Sequence, residues 1–238
     1  MTSGDEPQLS QGNPARERGN TLIVLVLDSS GSMASIVDDT IGAYNIFVQN
    51  EQASMDAHLK HFLSVIFNGQ AIRTVPPAPI AEVLPLNRQT YVPAADTPLY
   101  DAIGQAIRET DSFLAAHPDF ATNNDERVMM AIITDGQENA SRSYTRAHIF
   151  DLLTEKQRRG WGVVYLGANQ DAFVEGRQLG VAAGSTSNFA TGRMRGHGEM
   201  LSRSVGHYMA RDADLVDDDM RREMTSEEEE DDTPPGDS

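Results

Sequence analysis

Asp28, Ser30 and Ser32 alternate along the stretch DSSGSM, directly after the apolar run LIVLVL at residues 22–27. A carboxylate and two hydroxyls at every second position can reach one point, with Ser29 and Gly31 turning the chain between them. Two more oxygen donors stand in comparable settings. Thr97 lies in DTPLYDAI, and Asp135 closes the apolar run of RVMMAIITDG. All five are hard oxygen donors. Mg²⁺ and Mn²⁺ take six such donors and commonly keep water in part of the shell. The residue types therefore read as a cradle for a small divalent cation.

Hydropathy patterning supplies the elements that must position these residues. Residues 22–27 are continuously apolar, and 127–136, RVMMAIITDG, reads as another continuous buried strand ending in a carboxylate, as in strands buried on both faces of a parallel sheet. Residues 59–67 and 71–75 read as two further strands, joined as a hairpin by Asn68-Gly69. The Pro-rich stretch from Pro76 to Pro98 reads mostly as loop. Val37, Ile41, Tyr44 and Val48 recur at helical spacing over about 34–53. A second helix starts near Pro98, with Thr97 suited to its N-cap and Pro98 to the first helical position. Further on, a helix over about 145–159, a strand in WGVVYLG, a short helix in DAFVEGRQLG, a short strand at 186–190 and a last helix over about 194–211 complete the pattern. Strands alternating with helices argue for a doubly wound α/β sheet. Such sheets bind ligands at the carboxyl ends of their strands, which is where Asp28 and Asp135 fall.

Composition narrows the function classes. The net charge of −17 is concentrated at the end: residues 212–238 carry 13 acidic and 2 basic side chains. Such a segment is too charged to fold alone and reads as a disordered acidic tail. Residues 1–20 read as a second tail, leaving one domain over 21–211. No basic patch of the kind nucleic acid requires is present. No run is long and apolar enough to span a membrane, and the first 20 residues lack the apolar core of a signal peptide. Cysteine is absent, which removes thiolate chemistry and fits a cytoplasmic setting. The histidines form no zinc spacing, and neither a P-loop nor a G-x-S-x-G elbow occurs. Asn139 lies in an N-A-S sequon.

At DSSGSM, DTPLYDAI and ITDGQENAS the chain resembles von Willebrand factor type A (VWA) domains, whose metal-ion-dependent adhesion site (MIDAS) is built from three such segments. The resemblance covers about residues 20–211. It implies a Rossmann-like fold: a doubly wound, mostly parallel six-stranded sheet with helices on both faces. It also implies one Mg²⁺ or Mn²⁺ held by the hydroxyls of Ser30, Ser32 and Thr97, with Asp28 and Asp135 acting directly or through water. The open coordination position would be filled by an Asp or Glu carboxylate of a protein partner. One departure stands out. Family members often carry glycine just before the Thr-Pro pair, whereas this chain has Ala95-Asp96.

The reading that follows is a non-catalytic, metal-dependent protein-interaction module, with a binding face around residues 29–35, 94–97 and 135–141. The alternative is a metal-assisted phosphoryl-transfer or hydrolytic site with Asp96 or Glu138 as base. A third reading is an accessory subunit of an AAA-type ATPase assembly, resembling some intracellular relatives, with the ATPase on a separate chain.

Overall fold

The first strand, β1 (Thr21–Asp28), is buried at every residue, so its side chains must feed two cores. A computed structural model describes residues 19–122, 125–167, 172–188 and 194–210. The two expected tails lie outside the described residues, apart from 19 and 20. The remaining strands are β2 (Lys60–Phe67), β3 (Ile72–Pro79), the two-residue pair β4 (Ala121–Thr122) and β5 (Asp125–Glu126), then β6 (Val128–Thr134), β7 (Gly162–Gly167) and β8 (Thr186–Asn188). The helices are α1 (Val37–Ala53), α2 (Leu99–Ala116), α3 (Arg146–Arg158), α4 (Ala172–Gln178) and α5 (Met194–Ala210).

The main sheet has the order β3-β2-β1-β6-β7-β8. Five of its strands run parallel, and β3 alone is antiparallel, as the hairpin partner of β2. Alternation along β1 divides the cores. Ile23, Leu25 and Leu27 join Tyr44, Phe47 and Val48 of α1 and Leu201 and Val205 of α5. Leu22, Val24 and Val26 join Ile103 and Ile107 of α2 and Ile149 and Leu153 of α3. Each fully buried side chain of this size contributes roughly 1.5–3 kcal/mol.

Two sequence expectations need correction. β3 continues through Pro76, Pro77 and Pro79, where loop was expected. It is an edge strand, and an edge can accommodate residues that donate no ladder hydrogen bond. Thr97 is not the N-cap of α2. The helix begins at Leu99, and Pro98 occupies the cap position with no side-chain cap bond.

At the amino ends of the strands, Leu22 N–H donates to the Arg127 carbonyl at 2.9 Å. Tyr208 of α5 bridges the same edge: its hydroxyl lies 3.1 Å from the Glu126 carbonyl and 3.1 Å from the Val128 amide, and it also meets the Gly160 carbonyl. The start of β1 and the end of α5 therefore share one pole. Asp28 and Thr134 end their strands at the other.

Candidate metal-binding site

β1 stops at Asp28, whose side chain is fully buried and whose oxygens are both engaged. Oδ1 accepts the Ser30 N–H at 2.6 Å, and Oδ2 accepts the Thr134 hydroxyl, also at 2.6 Å. The first bond forces the chain to turn immediately after the strand, which brings Ser30 and Ser32 over the sheet edge. Ser29 points the other way, donating its hydroxyl to the Phe67 carbonyl at 2.9 Å and so fixing the turn to the end of β2. The buried Tyr91 hydroxyl donates to the Asp28 carbonyl at 2.6 Å.

The second segment docks on the first through backbone. Ala94 N–H donates to the Ser29 carbonyl at 2.8 Å, and Gly31 N–H donates to the Ala95 carbonyl at 2.9 Å. Gly31 does not have a positive φ. Its service is close approach, since an added Cβ would sit 3.3 Å from the Ala95 oxygen. Ala95 itself is left-handed, with φ +57°, a conformation that favours glycine. Asp96 is exposed to solvent.

The third segment closes the ring. Thr97 N–H donates to Asn139 Oδ1 at 2.9 Å, and Asn139 N–H returns a bond to the Thr97 carbonyl at 3.2 Å. The start of α2 is satisfied by the loop after β6 instead of by Thr97. Glu138 Oε2 accepts the Tyr100 N–H at 3.0 Å, and the Ser141 hydroxyl accepts the Asp101 N–H at 3.0 Å. Asp101 answers by accepting the amides of Arg142, Ser143 and Tyr144. This frees the Thr97 hydroxyl for other work.

Four of the five expected ligands then meet. The Ser30 and Ser32 hydroxyls lie 3.1 Å apart, and Ser32 donates to Asp135 Oδ1 at 2.5 Å. A Cβ placed on Gly136 would lie 2.9 Å from Thr97 Oγ1 and 3.4 Å from Ser32 Oγ. The absence of a side chain at Gly136 thus keeps open a space bordered by those hydroxyls. Asp28 sits behind them, beneath Ser30. Among the described residues no three His, Cys, Asp or Glu side chains converge. Only two carboxylates serve this site, and its other donors are neutral hydroxyls.

Burial pushes the Asp28 carboxyl above its usual range, against the opposing effect of the Thr134 and Ser30 bonds, and the nearby Asp135 charge adds to the rise. Burial also raises Asp135, with the Ser32 bond opposing. None of the ion pairs among the described residues involves either group. Two desolvated carboxylates with no cationic partner favour a bound cation. Glu138, the base considered for a hydrolytic site, accepts four bonds, from the amides of Tyr100, Ala140 and Ser141 and from the Ser141 hydroxyl. It is committed to holding the loop. Thr134, Asn139, Asp101 and the structural role of Glu138 were not evident in the sequence.

No protein-family model matches the chain, and no curated protein matches it in sequence. Solved structures share its fold. The pilus adhesin SpaC from Lactobacillus rhamnosus GG gives a TM-score of 0.59 at 14% identity over 82% of this chain and 31% of the adhesin. Proximal thread matrix protein 1 from the mussel byssus gives 0.54 at 16% identity, over 79% of this chain and 48% of that protein. The manganese-loaded TRAP protein of Plasmodium vivax gives 0.50 at 12% identity, over 75% and 72%. The chain thus spans less than half the length of the first two. At these identities the likeness establishes the fold alone, a mostly parallel α/β sheet.

Proposed function

We propose that this chain is a metal-dependent protein-interaction module of the VWA type, with one Mg²⁺ or Mn²⁺ at the carboxyl edge of the sheet. Ser30, Ser32 and Thr97 would supply hydroxyls, and Asp28 and Asp135 would balance charge directly or through water. Neutral hydroxyls leave the cation short of negative charge, so a partner's Asp or Glu carboxylate completes the shell. The observation that carries this reading is the convergence of Ser30, Ser32, Thr97 and Asp135 around the space left by Gly136. The pilus adhesin and the manganese-loaded protein that share the fold are consistent with it.

The test is direct titration with Mn²⁺ and Mg²⁺, followed by calorimetry and by competition between the two ions. Saturable binding at one site, lost in Asp28→Ala and Thr97→Ala with the fold intact by circular dichroism, supports the proposal. A wild-type protein that binds neither ion refutes it.

A further inference from the structure

Beside the candidate metal site lies a cleft of about 320 Å³, walled by the start of α2, the loop after β6, the start of α3, the end of β7 and α4. Leu99 follows Thr97 by two residues, and Gln137 follows Asp135 by two. Chain connectivity therefore keeps both walls within about 7 Å of the two ligand backbones, at ~3.5 Å per residue. The cleft is therefore within reach of a segment held at the candidate metal site.

The lining has a definite chemical character. Leu99 and Leu179 are buried apolar walls, and Val174, 53% exposed, stands at the opening. Tyr100 adds aromatic surface, while the Tyr165 ring is itself fully buried. Glu175 accepts the Tyr165 hydroxyl through Oε2 at 2.9 Å. Its side chain makes no other hydrogen bond or ion pair among the described residues. The other carboxylate, Glu138, is already saturated by four donors. Among the described lining residues the one cation, Arg146, is exposed and donates to Gln178 Oε1 at 2.7 Å.

A carboxylate with acceptor capacity to spare, the Tyr100 ring and aliphatic walls suit a long apolar stem with a cationic head. An acidic side chain would face two carboxylates. A purely apolar one would desolvate Glu175 without replacing its water.

Resting on the metal-dependent reading above, we propose that this cleft is a second recognition subsite. It takes a lysine or arginine side chain from the same partner segment whose carboxylate completes the metal shell. The partner motif is then an acidic residue with a basic residue close by in space.

The probe is a displayed random-peptide library, selected on the full chain in Mg²⁺, on the same chain in EDTA and on Glu175→Gln in Mg²⁺. Selected peptides are then synthesised and titrated. The Gln substitution keeps an acceptor for Tyr165 and leaves the metal ligands untouched, so Mn²⁺ affinity should be unchanged. The expected result is enrichment of an acid paired with Lys or Arg in Mg²⁺. Glu175→Gln should retain the acid preference, lose the basic preference, and bind the paired peptide on the order of tenfold more weakly, as for one charge-assisted contact. A wild-type selection without that pair, whether it yields acid alone, other side chains or nothing, overturns the inference. So does a basic preference that survives in Glu175→Gln. An acid preference that persists in EDTA would instead refute the metal-dependent reading beneath it.

Discussion

Thr97 and Asn139 hold each other through two bonds, the Thr97 amide to the Asn139 side chain at 2.9 Å and the Asn139 amide to the Thr97 carbonyl at 3.2 Å. The Thr97 hydroxyl does not accept the Tyr100 or Asp101 amide of the helix it precedes; those go to Glu138 and Ser141. Its place over the sheet edge is therefore set by a residue 42 positions away. Asn139→Ala removes the side-chain half of this clasp. We expect Mn²⁺ affinity to fall about tenfold, at the low end for groups that orient ligands. Stability should drop by about 1 kcal/mol. Calorimetric titration and thermal melts read the two effects separately.

Gly136→Ala tests the space between the hydroxyls. The added methyl would stand 2.9 Å from Thr97 Oγ1 and 3.4 Å from Ser32 Oγ. We expect at least about a tenfold loss of metal affinity, with the far-ultraviolet spectrum unchanged. Wild-type affinity in this variant would mean that the cation sits elsewhere.

Ala95→Gly tests the left-handed residue. A non-glycine side chain in this conformation costs roughly 1–2 kcal/mol, offset in part by the greater unfolded-state freedom of glycine. The net expectation is a gain of about 0.5–1 kcal/mol, or a rise in Tm of roughly 1–4 °C for a domain of this size. Metal affinity should not change, because Gly31 bonds to the backbone carbonyl of this residue.

The pH dependence follows from the raised carboxyls of Asp28 and Asp135. Between the ordinary carboxylate range and their raised values, the folded metal-free protein binds more protons than the unfolded chain. Its stability from these groups therefore falls as pH rises through the raised values. A cation requires both groups ionised, so metal affinity moves the opposite way and weakens as pH drops through the same window. The increase in Tm on adding Mg²⁺ should be largest near neutral pH and should shrink on acidification before ordinary carboxylates titrate. A Mg²⁺ effect that is flat across this window would contradict the assignment.

Much of the architecture can be read along the chain because it is encoded locally. The continuous apolar runs at 22–27 and 128–133 can be little else than doubly covered strands, and the residues just beyond them reach the sheet edge. Four of the five candidate ligands sit at or just beyond such ends, and Thr97 stands just before α2. What escaped the sequence are the residues whose partners lie far away. Thr134 braces Asp28 across 106 positions, and Glu138 reaches Tyr100 across 38. Nothing in ITDG or QENA marks those partners, since a polar side chain carries no record of which distant amide it will meet. Local cues also misled twice. Thr-Pro has the right composition for a helix cap, but the Glu138 loop satisfies the amides that a cap would have taken. The prolines after Val75 have loop composition, but an edge strand tolerates them.

The shared pole formed by the start of β1 and the end of α5 has a mechanical consequence. Tyr208 ties the end of α5 to the carbonyls and amide at residues 126, 128 and 160, and Leu22 is bonded beside them to Arg127. Tension applied through residues 21 and 210 would enter and leave at this edge. The load path would stay at the amino ends of the strands, leaving Asp28, Ser30, Ser32 and Asp135 at the opposite edge outside it.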